Sequence, residues 1–193
     1  KRAEYALLLT QAIDKCYLEH KTDSLILTAV NFYKQQSDKN QKAKSYFYLG
    51  RVYQDNNNIL GAIKAYLNAI EMLPTNKDLK VLIYDNLAAC YKEQNQYEKA
   101  MEMYKKSYFI SSLQKEDNTI LHSIRGIASI YSLQDSLQIA LDYYQKALLL
   151  LENENESMWT STIYCDMARV YEANGKYIIA QKYINQSLKN APT

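Results

Sequence analysis

Four copies of one residue pattern leave this chain few folds to choose from. The copies are Tyr46-Leu49-Gly50-Tyr53-Ala62-Tyr66, Tyr84-Leu87-Ala88-Tyr91-Ala100-Tyr104, Ile124-Ile127-Ala128-Tyr131-Ala140-Tyr144 and Tyr164-Met167-Ala168-Tyr171-Ala180-Ile184. Their first residues are separated by 38, 40 and 40 positions. Self-similarity at this period marks an array of helical units, each burying its apolar face only against a neighbour. Composition agrees: 4 Gly and 2 Pro in 193 residues are too few for a loop-rich or all-β chain. Ala, Leu, Lys, Gln and Glu, all good helix formers, are plentiful.

Each copy reads as two helices joined by a short polar turn. The first helix carries Leu49, Gly50 and Tyr53 or their equivalents on one face. The second carries Ala62, Tyr66 and Ala69 at amphipathic spacing. Asn57, Asn95, Asp135 and Gly175 fall in one slot of the four turns. These residue types tolerate the left-handed conformation that ends a helix, so their agreement supports the register. Gly50, Ala88, Ala128 and Ala168 face Ala62, Ala100, Ala140 and Ala180, where two backbones approach only if neither side chain is large. Of 19 tyrosines, 10 occupy the three aromatic slots, so packing accounts for most of the tyrosine excess.

This pattern resembles the tetratricopeptide repeat (TPR): an aromatic, Leu, a small residue, Tyr, a central Ala, an aromatic, Ala and a closing Pro. The second copy matches throughout and ends on Ala69 and Pro74. The third has Ser107 and Ser112 in the last two slots; the fourth keeps Ala147 but has Glu152; the fifth has Ser187 and Pro192. The resemblance implies an all-α fold, a right-handed TPR superhelix (α-α solenoid) of about five helix-turn-helix repeats with a 38–40-residue period. The clear repeats are 43–76, 81–114, 121–154 and 161–193. The usual period is about 34, so roughly one extra helical turn is expected between one unit's second helix and the next unit's first. Residues 1–36 form a degenerate first repeat, with Ala6, Leu9, Thr10, Ile13, Thr22, Ile26 and Ala29 in register and Thr22 or Asp23 as a helix cap. A helical hairpin outside the family is the other reading of this segment.

Sites for chemistry are scarce. Cys16 and His20 are four apart, the spacing that would bring two residues to one face of a helix, but two ligands do not close a metal site. No phosphate loop or Gly-flanked nucleophilic Ser occurs. Glu152, Glu154 and Glu156 read as a solvated linker, and Asn155-Glu156-Ser157 as a chance match to a glycosylation pattern. Cys90, beside Ala88 and Ala89, reads as a buried structural thiol. A net charge of +2 argues against bulk electrostatic binding of nucleic acid. No catalytic residue, cofactor or metal is expected, and no run is long and apolar enough to span a membrane.

In TPR proteins the first helices line an inner surface that binds proteins or peptides. The resemblance places Lys44, Phe47, Arg51 and Gln54 there in the second repeat, and Asp85, Asn86 and Lys92 in the third. His122, Arg125 and Ser129 follow in the fourth, and Cys165, Arg169 and Glu172 in the fifth. A row of Arg51, Lys92, Arg125 and Arg169 suits an acidic peptide or a C-terminal carboxylate, since Arg grips carboxylates with paired hydrogen bonds. Ordinary solvated charge is the competing reading. Phe47, Arg51, His122 and Gly126 depart from the pattern of TPR domains that clamp chaperone C-termini.

The opening from Tyr5 to Ala12, with the run Ala43 to Tyr53, is similar to bacterial TPR regulators anchored at a membrane. That likeness implies an extracytoplasmic (periplasmic) input domain; a cytoplasmic adaptor is the alternative. The start at Lys1 without Met and the end at Thr193 just after a repeat helix point to a piece of a longer protein. Ile178 and Ile179 on the last helix leave self-association open.

Overall fold

The computed structural model describes residues 1–72, 75–115, 117–151 and 157–191. Among the described residues there are ten helices and no strand. They form five pairs: α1 (Arg2–Lys15) with α2 (Ser24–Tyr33), α3 (Lys39–Asp55) with α4 (Ile59–Glu71), α5 (Lys77–Glu93) with α6 (Tyr97–Gln114), α7 (Asp117–Leu133) with α8 (Leu137–Leu151), and α9 (Ser157–Ala173) with α10 (Tyr177–Lys189). The chain divides into two compact units, residues 1–107 and 108–193.

The turn slot behaves as its residue types require. Asn57, Asn95 and Asp135 have φ of 56° and Gly175 has 68°. The turn after α3 shows the consequence. Asn57 N–H donates to Gln54 O at 2.9 Å and Asn58 N–H to Tyr53 O at 2.8 Å, closing the end of α3. The Asn58 side chain then accepts from Gly61 N–H at 3.0 Å and starts α4. Each turn between the helices of the four clear pairs is therefore only three residues long.

The starts of α3 and α5 are capped in the same way. Asp38 accepts from the amides of Asn40 and Gln41 at 2.9 and 3.1 Å, and Asn76 from Leu79 at 2.9 Å. α3, α5, α7 and α9 each begin four residues ahead of the boundary drawn by the repeat pattern, so the added turn lies at the N-terminus of the first helix. The cap expected on α2 takes another form. Asp23 makes no side-chain capping bond, and Thr22 Oγ1 pairs with Ser24 Oγ at 2.9 Å instead. The closing positions Pro74, Glu152 and Pro192, and the Glu152, Glu154, Asn155 and Glu156 run, lie outside the described residues.

Small and aromatic residues pack as their spacing implies. Ala62, Ala88, Ala100, Ala128 and Ala140 are fully buried, and Tyr66, Tyr104 and Tyr144 are 0–3% exposed. Ile184 takes the same slot in the last pair and is 46% exposed. At Gly50 the fit is tighter than at the alanines: an added Cβ would stand 2.7 Å from Tyr66 Cδ1 and Cζ. In the first unit Ile26, Ile83 and Leu87 complete the interior; in the second, Ile124 and Ile163 lead a cluster with Tyr144, Ala147 and Met167. Cys90 is buried as expected, whereas Cys16 and Cys165 are exposed.

Candidate functional site: polar ladders on the first helices

Side chains on consecutive first helices meet where the repeat pattern leaves positions unused. In the first unit Arg51 of α3 donates from Nε to Asp14 Oδ1 of α1 at 2.7 Å. Its Nη1 donates to Asn86 Oδ1 of α5 at 3.2 Å, so one guanidinium ties three helices together. Asn86 is fixed in turn, its Nδ2 donating to Leu82 O at 2.8 Å. Burial alone would lower the Arg51 pKa, but the bond to Asp14 and its charge outweigh burial and leave it raised.

The second unit repeats this device with the signs in reverse chain order. Arg125 of α7 donates through Nε to Asp166 Oδ2 of α9, and through Nη2 to Oδ1 at 3.4 Å. The Asp166 side chain is 12% exposed, so the pair is partly withdrawn from water. Tyrosines beneath the ladders hold their protons firmly. Burial, with Asp14 nearby, pushes the Tyr48 phenol up to about 12, and burial, with Asp166 nearby, raises Tyr144.

The residues expected at this surface divide into four groups. Arg51, Asn86 and Arg125 are placed together with carboxylates and are engaged inside the ladders. Phe47 and Asp85 are corrections: at 3% and 5% exposure neither lies on a binding surface. Phe47 packs edge-on to Tyr48 and against Tyr66, because its side of α3 faces the second helix. Lys44, Gln54, Lys92 and Ser129 are half-buried. Burial and Lys15 depress the Lys44 ammonium, Gln54 accepts from the Tyr66 hydroxyl, and Ser129 Oγ donates to Gly126 O at 2.8 Å. His122, Cys165, Arg169 and Glu172 are exposed.

Two residues of the ladders escape the repeat pattern, Asp14 and Asp166. A signal for them was present: Asp14 precedes Arg51 by 37 residues and Asp166 follows Arg125 by 41, about one repeat each. The Cys16 and His20 pair is also resolved. His20 is buried, its Nδ1 lies 2.6 Å from Asp55 Oδ2 and its Nε2 lies 3.2 Å from Thr10 O. Both ring nitrogens therefore have protein partners, and Cys16 points to solvent, so the two do not form a metal site.

The tetratricopeptide repeat family profile matches residues 41–110 and 118–193. The chain belongs to the TPR family. Solved TPR-type structures align over almost its whole length. The TPR-like repeats of a kinesin light chain from Podospora anserina align with a TM-score of 0.80 at 16% identity, over 98% of this chain and 94% of that one. The apo form of RapI aligns at 0.79 and 16% identity, over 99% and 70%. BtubC from P. vanneervenii aligns at 0.78 and 18% identity, over 97% and 78%. At such identity these likenesses concern the fold, and they extend it across α1 and α2, ahead of the profile match. No curated protein matches the sequence. The TPR solenoid is generally a non-catalytic scaffold for protein interaction, and this chain is a TPR scaffold for protein interaction. No described helix is long and apolar enough to cross a membrane.

Proposed function

We propose that this TPR scaffold holds a protein or peptide segment on the first-helix face of its units, as the input domain of a bacterial membrane-anchored regulator. The observation that carries the peptide reading is the arrangement of polar side chains along the first helices. Arg51 with Asn86 in one unit, and Arg125 with Asp166 in the other, are held by hydrogen bonds and still 31% and 36% exposed at the arginine side chains. Partly exposed guanidinium groups held in this way offer directed donors at little entropic cost to binding. Since Asp14 and Asp166 already neutralise two arginines, the partner is a segment of mixed charge rather than a strongly acidic one. Arg169, exposed beside Glu172, is the position for an acidic side chain or a C-terminal carboxylate.

Site-directed photo-cross-linking in the native host tests this. A cross-linking residue at Gln54, His122 or Arg169 is expected to capture a protein partner. The same residue at Lys64 of α4 or Lys105 of α6, exposed on second helices, is not. Capture only from the second-helix positions refutes the peptide site. The regulator reading rests on the likeness of the opening segment to that class. It predicts that the native protein carrying this chain sediments with membranes, whereas recovery wholly in the soluble fraction favours a cytoplasmic adaptor.

A further inference from the structure

The turn between α1 and α2 differs from the other four. It spans eight residues, 16–23, where each of the others spans three. It starts on the same helix-ending geometry, with Tyr17 N–H donating to Asp14 O at 3.1 Å and Leu18 N–H to Ile13 O at 3.1 Å. Tyr17 therefore takes φ of 55° in the slot filled elsewhere by Asn57, Asn95, Asp135 and Gly175. A side chain of that size costs roughly 1–2 kcal/mol there, and its ring gains no burial in return, being 96% exposed. Backbone strain without local compensation marks places where the conformation serves something else.

The enlarged turn roofs a cleft of about 590 Å³ whose walls include Ile13, Leu18, His20, Leu25, Ile26 and Val52. The roof is latched. His20 binds Asp55 at the end of α3 through Nδ1 at 2.6 Å and through its backbone N–H at 3.2 Å, while Nε2 meets Thr10 O. Thr10 Oγ1 donates to Ala6 O at 2.8 Å. The polar atoms of His20 and Thr10 are thus satisfied within the protein, and the rest of the cleft surface is mostly apolar, with Tyr17, Glu19, Lys21 and Thr22 as its polar lining. Glu19 and Lys21 stand exposed at the mouth with opposite charges.

From these features we infer that the cleft beneath the α1–α2 turn is a binding site for a neutral, largely hydrophobic small molecule. Size decides against a single partner side chain: an apolar cavity of about 150 Å³ already accommodates benzene, and ligand pockets span roughly 300–1,000 Å³. A lone Leu or Phe would leave most of 590 Å³ unfilled. Charge decides against an ionic ligand, because Glu19 and Lys21 in the lining carry opposite signs and His20 is already paired with Asp55. The latch keeps the cleft open before ligand arrives, so little ordering cost is incurred on binding. This inference is independent of the peptide site on the first helices.

The test uses the full chain and N-phenyl-1-naphthylamine, a neutral aromatic probe that fluoresces in apolar surroundings. Saturable binding at one site per chain is expected. Leu25→Trp on α2 and Ile13→Trp on α1, both lining the cleft, each lower probe affinity by about tenfold or more. Ile178→Lys, on the exposed face of α10, leaves it within about twofold. Amide hydrogen exchange on the unsubstituted chain provides a readout independent of the variants: the probe is expected to slow exchange in residues 13–26. Absence of saturation, binding that survives both Trp variants, loss on Ile178→Lys, or protection confined to other helices overturns the inference.

Discussion

Gly50→Ala tests the close approach of α3 to Tyr66 of α4. An added methyl carbon would sit 2.7 Å from two Tyr66 ring atoms, well inside ordinary carbon contact near 3.5–4.0 Å. The ring has little room to yield. It is fully buried, Phe47 lies 5.8 Å away between ring centres, and Gln54 holds the hydroxyl. Overpacking of this kind costs about 1–3 kcal/mol, while alanine recovers about 1 kcal/mol of helix propensity over glycine. The expected net effect is a loss of about 1 kcal/mol. Tyr66→Ile copies the side chain that the last pair carries at Ile184 and removes the ring. In that background Gly50→Ala is expected to become stabilising by up to about 1 kcal/mol, a coupling of about 2 kcal/mol. Urea unfolding followed by far-ultraviolet circular dichroism measures the cycle, and amide exchange in α3 and α4 localises it. If Gly50→Ala stabilises the unaltered chain by the propensity amount, the close contact does not limit packing and the reasoning fails.

Other consequences are simpler to check. Burial pushes the Cys90 thiol up to about 12, so a thiol reagent at neutral pH is expected to label Cys16 and Cys165 in the native protein and Cys90 only after unfolding; three native labels contradict this. Tyr48 is pushed up to about 12 by burial and Tyr144 is raised by burial. Because the folded phenols hold their protons more tightly, this contribution to stability is intact below pH about 10 and is lost as pH rises from about 10 to about 12. An alkaline denaturation midpoint should track phenolate absorbance, and full ionisation of every tyrosine in the folded chain near pH 10.5 would falsify the assignment.

Much of the fold was legible in the sequence because its determinants are local. The turn slot at Asn57, Asn95, Asp135 and Gly175 predicts left-handed backbone from side-chain sterics alone, and all four adopt it. Alanines at fixed spacing predict close helix crossings, and they are buried. The candidate surface was only partly legible. Repeat register places a residue on a helix, but it does not say how far that helix is rotated. Phe47 and Asp85 were therefore read as surface and are interior.

For this chain, then, the sequence by itself determined the repeat, its helix pairs and its turn chemistry, since periodicity and φ preferences act within a few residues. Only the tertiary structure decided how charge is spent. The Asp14–Arg51 bond spans 37 residues and the Arg125–Asp166 bond 41, and each depends on where a neighbouring helix sets its side chains. The same holds for His20, which lines the cleft and whose ring is satisfied by Asp55 at a distance of 35 residues. A titratable side chain acquires its role from its neighbours, and in a stacked array those neighbours lie one repeat away.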